Sequence, residues 1–389
     1  MSKTKTLNSY LGEPDNKRTS STKTLDRIVE TEFPEFVHAE ILLKLPPSFL
    51  NGEGTDTKRK QVVTRVKSFV LPKHGRIPYF SAQSLRRWLR ETFSALSNSD
   101  KPEYYHRLYG VLKNPNITNP AGTTADPVCY LEDDLFGYTH PRIEHQELVL
   151  NNLELDRPKV VSVNRIAPLR TSAILGIPNE SQISSDNGFV HLPDDSPLPY
   201  STEFSTGFFS YSALLDLHSV GKYENIGDLL NLDPVLVTHY LGRKVIEEVK
   251  TGQPNRQTYR LTQKTLLERK KEALRLFLLC LKLIDGGAKT SQFGVDLTPR
   301  AVVLYTSKSA NPTLMNCFKV HQGQVTIDRS PTTTTTNEGS LMHLQLGARL
   351  SLREKTTVME TAQNETVNIT SVGSAFNAFF SEISGEELH

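Results

Sequence analysis

Val37, Ala39, Ile41, Leu43 and Leu45 occupy alternate positions, with His38, Glu40 and Lys44 between them. A two-residue period puts the two sets on opposite sides of an extended backbone. Residues 36–45 must therefore form a strand, expected to be apolar on one side and solvated on the other. Pro46-Pro47 ends the run, and Asn51-Gly52-Glu53-Gly54 follows as a loop whose backbone N–H groups can face a ligand. The same period returns over residues 62–70, with Val62, Thr64, Val66 and Val70 on one side and Arg65 and Lys67 on the other. It appears again at Phe209, Tyr211, Ala213, Leu215 and Leu217, and residues 301–306 read as a short core strand.

Helical spacing is as distinct. Leu85, Trp88, Leu89, Thr92 and Leu96 line one side of a helix that Ser81 caps, leaving Arg86, Arg87 and Arg90 on its polar side. Further helices are expected over 233–250, over 262–284 with Gly286-Gly287 stopping it, and over 372–383. Residues 114–206 carry a weak pattern rich in Pro, Asn, Ser and Asp, which suits a large insertion or an extended hairpin. Residues 1–34 form a polar leader, and the threonine tract at 332–336 reads as a loop tip. This order of elements predicts an α+β fold, a small sheet with elaborated connections, rather than regular βα alternation.

Charge is unevenly placed. Formal net charge is only +2, yet residues 51–90 hold ten Lys and Arg against Glu53 and Asp56, while residues 122–206 hold thirteen acids against five bases. Such a chain can neutralise a polyanion in one place and meet a basic surface in another. Cys129, Cys280 and Cys317 lack CxxC or Cys/His spacing, which indicates neither disulfides nor zinc and fits a reducing cytoplasm. The longest apolar stretch is too short to span a bilayer and is broken by Arg275 and Lys282, so no membrane partner is expected. No cofactor is expected either. The histidines show no HxxH or HExxH spacing, Asp133-Asp134 reads as an acidic surface turn, and Asp56 in Gly54-Thr55-Asp56-Thr57 reads as a plain loop turn without a second carboxylate.

The run Arg-Ile-Pro-Tyr-Phe-Ser-Ala-Gln-Ser-Leu-Arg-Arg-Trp-Leu-Arg at 76–90, preceded by Leu50-Asn51-Gly52, resembles the first loop and helix of the CRISPR-associated RAMP superfamily. It is most similar to the DevR-like branch, the Cascade backbone subunit of type I-B systems. Asp134-Leu135-Phe136-Gly137-Tyr138, the segment 165–172, and Gly286-Gly287-Ala288-Lys289 resemble later motifs of that branch and fall in the same order.

The resemblance implies an RRM-like (ferredoxin-like) palm over 35–121 with 207–306, an insertion at 122–206 forming a thumb (160–206) and a finger-like region, and a C-terminal extension over 307–389. It implies a non-enzymatic protein, antiviral in setting, whose copies polymerise as a filament along a guide RNA (crRNA) beside other Cascade subunits and present it to target DNA. Whether a helicase-nuclease or transposition proteins join stays open. Carried over by position, Asn51, Ser81, Gln83, Ser84, Arg86, Arg87 and Arg90 line the guide-phosphate groove with Gly286, Gly287 and Lys289, while Arg65 and Lys67 add charge. Arg165, Arg170 and Thr171 would contact the backbone from the thumb, with Leu175 or Ile177 as its apolar wedge. Two rival readings remain: a type III-like subunit cutting target RNA through Asp56, and a stand-alone RRM-like RNA-binding regulator.

Overall fold

The computed structural model describes residues 33–58, 61–97, 125–140, 149–150, 153–154, 162–190, 198–253, 255–287, 293–312, 314–327, 342–348, 356–358 and 369–389. The leader up to residue 32, Lys289 and the threonine tract lie outside them. The chain divides into two compact units, one of Met1–Phe33, Arg107–Ala167 and Ser219–Lys271, the other of Pro34–His106, Pro168–His218 and Glu272–His389. The boundaries fall at 33/34, 106/107, 167/168, 218/219 and 271/272.

The larger unit is built on an eleven-stranded sheet. Its main path runs Ile369–Thr370, Met342–Ala348, Ala301–Ser307, Phe36–Ser48, Leu198–Asp216, Ile174–Val190, Gly75–Phe80, Ser68–Leu71. Phe36–Ser48 is antiparallel to both neighbours, Ala39 lying opposite Ala213 on one side and Leu304 on the other. Its alternation therefore does not mark a half-solvated strand. His38 and Glu40 are 1% and 2% exposed, because the C-terminal segment around Ser309 and at 314–327 covers the polar side as far as Leu42, while Lys44 beyond it stays exposed. In that cover Leu314, Cys317, Phe318, Val325 and Ile327 pack on Leu42, Phe208, Ala301, Val303 and Tyr305. The C-terminal segment is thus part of the core, and it adds two strands to the sheet edge.

Residues 52–58 are a strand, not a loop, paired antiparallel with Gln61–Val66, and that hairpin lies parallel to Tyr200–Thr202. The expected continuous strand over 62–70 is broken at Lys67, and the faces part company: Val66 is buried while Val70, on the edge strand, is 73% exposed. Ile174–Val190 and Leu198–Asp216 form one long hairpin, paired from Leu175 opposite Ser210 out to Val190 opposite Leu198. Helices Ala82–Ser97, Gln263–Leu283 and Val372–Ser384 match the periodic segments closely.

The smaller unit holds a six-stranded sheet in the order Ile246–Val249, Arg256–Leu261, Lys222–Ile226, Leu229–Leu230, Val163–Arg165, Tyr138–His140. The helix expected over 233–250 ends early. It spans Pro234–Gly242 behind the Asp233 cap, and Lys244 then takes φ 57°, which turns the chain into the strand Ile246–Val249. Tyr223, Leu232, Leu236, Tyr240, Tyr259, Leu261 and Leu266 make its core.

Candidate nucleic-acid interface

The start of the arginine helix gathers neutral donors. The Ser84 N–H donates to the Ser81 hydroxyl at 3.2 Å, the two hydroxyls lie 2.9 Å apart, and the Asn51 side-chain amide donates to Ser84 at 3.1 Å and Ser81 at 3.4 Å. Sequence positions thirty residues apart thus meet at a helix N-terminus, where backbone N–H groups and the helix dipole already favour an anion. Leu85, Trp88, Leu89 and Phe93 anchor the helix in the core. Arg86 and Arg90 sit half-buried one turn apart, and burial and then the charge of Arg90 push the Arg86 guanidinium down. Two partly desolvated like charges side by side are relieved by a bound anion. Arg87 is exposed and makes a 2.9 Å pair with Glu91, an exposed contact of little strength that a phosphate can displace. Gln83 is exposed on the same turn.

Gly286 and Gly287 belong to this cluster, though not as the stop of the long helix, which ends three residues earlier at Leu283. A Cβ on Gly286 would come within 2.3 Å of the Trp88 ring, and Gly287 adopts φ 126° with its missing side chain facing Val295 and Leu50. Gly286 is needed because the chain passes directly over the indole. Gly286→Ala is expected to shift the helix and to cost about 1–3 kcal/mol in a denaturant titration. Unchanged stability would show that Trp88 has room to move.

Other expected contacts lie elsewhere. Arg65 is exposed on the basic hairpin, and the Lys67 carbonyl accepts the Tyr79 N–H at 3.0 Å. Arg170 is exposed and 3.4 Å from the Asp216 carboxylate. The Thr171 hydroxyl is enclosed without a hydrogen-bond partner. Ile177, one of the two wedge positions, is packed against the cluster of the C-terminal cover, and Leu175 pairs within the sheet; Phe189, near the tip of the long hairpin, is 64% exposed instead.

Arg165 is corrected outright. It lies in the smaller unit, 4% exposed, ion-paired to Asp134, donating to the Asp134, Lys222 and Ser219 carbonyls, and stacked on Tyr223. Asp133-Asp134 is likewise no surface turn. It sits in the wholly buried helix Leu131–Phe136, where Asp134 also accepts from the Gly221 N–H at 3.1 Å and faces Arg269 at 3.4 Å. Burial pushes the Asp134 carboxyl up, and the Arg165 and Arg269 guanidiniums and the Gly221 N–H oppose that push. Gly137 completes the motif, since a Cβ there would meet the Arg165 carbonyl at 2.4 Å.

Sequence reasoning missed the bidentate Arg76–Glu203 pair (2.7 and 3.0 Å), whose carboxylate also accepts the Val66 N–H at 3.1 Å and so holds the basic hairpin to the long one. Its partners are 127 residues apart, which leaves no local signal. Among the described residues no group of His, Cys, Asp and Glu could hold a metal ion, and no helix is long and apolar enough to cross a membrane.

A solved chain described as "CRISPR RNA-guided surveillance complex, pre-nicking" is similar to this one at 11% identity and a TM-score of 0.44, covering 90% of this chain and 99% of that one. Another, described as "CRISPR RNA-guided surveillance complex", is similar at 15% identity and a TM-score of 0.32 over 71% of each chain. No curated protein matches the sequence. The family model described as "CRISPR-associated negative auto-regulator DevR/Csa2" matches residues 52–322. That span takes in the arginine helix, the Gly137 turn, the long hairpin and the Gly286-Gly287 pass over Trp88, and the chain belongs to the DevR/Csa2 family of CRISPR-associated proteins.

Proposed function

We propose that this chain is a non-catalytic backbone subunit of a type I-B Cascade-like complex, gripping a guide RNA by its phosphates and leaving the bases to pair with target DNA. The observation that carries the reading is the capped helix N-terminus where Asn51, Ser81 and Ser84 meet beside Arg86 and Arg90. Its donors are charged or backbone-like, and such groups position a nucleic-acid strand without reading sequence. A palm of RRM-like type is supported by chain order: strand Phe36–Ser48, helix Ala82–Ser97, strands Ile174–Val190 and Leu198–Asp216, helix Gln263–Leu283, strand Ala301–Ser307, with the last strand beside the first. In this reading the long hairpin is the thumb, and its exposed Phe189 takes the wedge role in place of Leu175 or Ile177. Further copies and other Cascade subunits are its partners, and Asp56 cuts nothing.

Arg86→Ala combined with Arg90→Ala is expected to weaken binding of single-stranded RNA alike for every sequence. The slope of log affinity against log salt should become shallower by about 0.7 for each phosphate that the protein no longer neutralises. Weakening restricted to some sequences would contradict phosphate gripping. The mass of protein mixed with RNAs of increasing length is expected to rise stepwise. One copy per RNA at every length would favour the stand-alone regulator, and shortened RNA in the same samples would favour cleavage.

A further inference from the structure

We infer that Phe69 and Tyr79 form a base-stacking surface for single-stranded nucleic acid, adjoining the helix end that grips phosphates; the inference rests on the RNA-binding reading above. The two rings sit on the edge hairpin of Ser68–Leu71 and Gly75–Phe80, both half-buried, with centroids 5.9 Å apart and planes tilted by 54°. Phe69 lies opposite Ile77, and Tyr79 lies opposite Leu175 on its other side. Directly opposed residues project to one face of a sheet, so Phe69, Tyr79 and Leu175 share a face, with Lys67 across from Tyr79 through the Tyr79 N–H bond to its carbonyl.

That face is the one the C-terminal cover occupies farther along, since Leu175 lies opposite Ser210, which itself lies opposite Leu42 in the covered cluster. The cover closes over Tyr305, Phe208 and Val303 and takes in Ile177, while Phe69 and Tyr79 stay half-exposed outside that cluster. Two neighbouring aromatic side chains left half-exposed just beyond the edge of that cover offer flat apolar surfaces to a partner. The local charge names its class: Arg65, Lys67 and Lys73 surround the pair in sequence, and Tyr79 stands two residues before Ser81 of the phosphate cluster. A basic track interleaved with aromatic rings is how proteins hold single strands whatever their sequence, the rings taking the bases and the cations the backbone.

The test compares binding of the full-length chain to an oligoadenylate and to an abasic oligomer of the same length. Phe69→Leu with Tyr79→Leu keeps apolar bulk, and is expected to weaken oligoadenylate binding by about tenfold or more while leaving abasic binding and the salt slope unchanged. Tyr79→Phe should bind as the unsubstituted chain does. A photoreactive base in the bound RNA should cross-link to the peptide carrying Tyr79, a readout that needs no variant to fold. Equal weakening on both oligomers, or none on either, would remove stacking and leave the phosphate grip standing. Failure of the unsubstituted chain to bind either oligomer would overturn the proposed function and this inference with it.

Discussion

Asp134→Ala is expected to destabilise the smaller unit by about 3–5 kcal/mol, because it leaves the Arg165 and Arg269 guanidiniums buried without their carboxylate. That is a large share of the roughly 5–15 kcal/mol by which domains are ordinarily stable, so loss of cooperative unfolding is the expected result. The penalty belongs to stranded charge and not to a missing favourable bond. Replacing the group together, Asp134→Leu with Arg165→Met and Arg269→Met, should therefore recover much of the stability, although the carbonyls of Pro127, Val128, Ser219 and Lys222 would need other donors. Denaturant titration with limited proteolysis decides it. An Asp134→Ala protein within about 1 kcal/mol of the parent would mean that water reaches the guanidiniums.

Glu40→Gln is expected to change the pH dependence of stability strongly between pH 4.5 and 8. Burial pushes the Glu40 carboxyl from 4.5 up to about 8, opposed by the Ser212 hydroxyl and the Asn316 N–H; burial pushes His38 from 6.5 down to about 4, opposed by the Ser309 carbonyl. A carboxyl raised by folding contributes stability that is whole below pH 4.5 and lost as pH climbs to 8. A histidine lowered by folding contributes stability that is whole above pH 6.5 and lost as pH falls toward 4. Between 4.5 and 6.5 the folded pair holds one proton on Glu40 and the unfolded pair holds one on His38, so their joint slope vanishes. Above 6.5 only folded Glu40 holds a proton, and their contribution falls by roughly 2 kcal/mol up to pH 8. The stability of the parent relative to Glu40→Gln should thus decline by on the order of 5 kcal/mol between pH 4.5 and 8. Parallel pH profiles for the two proteins would show that Glu40 is ionised in the fold.

What could be read from the residues was what neighbouring residues decide. The arginine helix, its Ser81 cap and the strands at 36–45 and 301–306 follow from local spacing, though the first strand runs on through Pro46-Pro47 to Ser48. What escaped was set by partners far away in sequence. The polar side of the first strand reads as solvated until residues 314–327 arrive to cover it as far as Leu42, and Arg165 reads as an available cation until Asp134 and Arg269 enclose it. The basic hairpin was legible as charge, yet its attachment through Arg76 and Glu203 was not. The cluster of Asn51, Ser81 and Ser84 could be assembled from the sequence only because a family resemblance placed them together. Phe69 and Tyr79 alternate with bases in plain view, but which rings stay accessible depended on where the C-terminal cover stops.

The placement of Phe36–Ser48 between Leu198–Asp216 and Ala301–Ser307 bears on how the protein is made. Synthesis runs from the N-terminus, so this strand leaves the ribosome with neither neighbour yet translated. Its bond from His38 to Ser307 closes a separation of 269 residues. Pairings this distant form slowly, and at ordinary elongation rates of about 5–20 residues per second the strand waits on the order of ten seconds or more with Ile41, Leu42 and Leu43 uncovered. A nascent chain in that condition is a client for holdase chaperones, and a message truncated before the codon for Ala301 would yield a product whose first strand never finds its second neighbour.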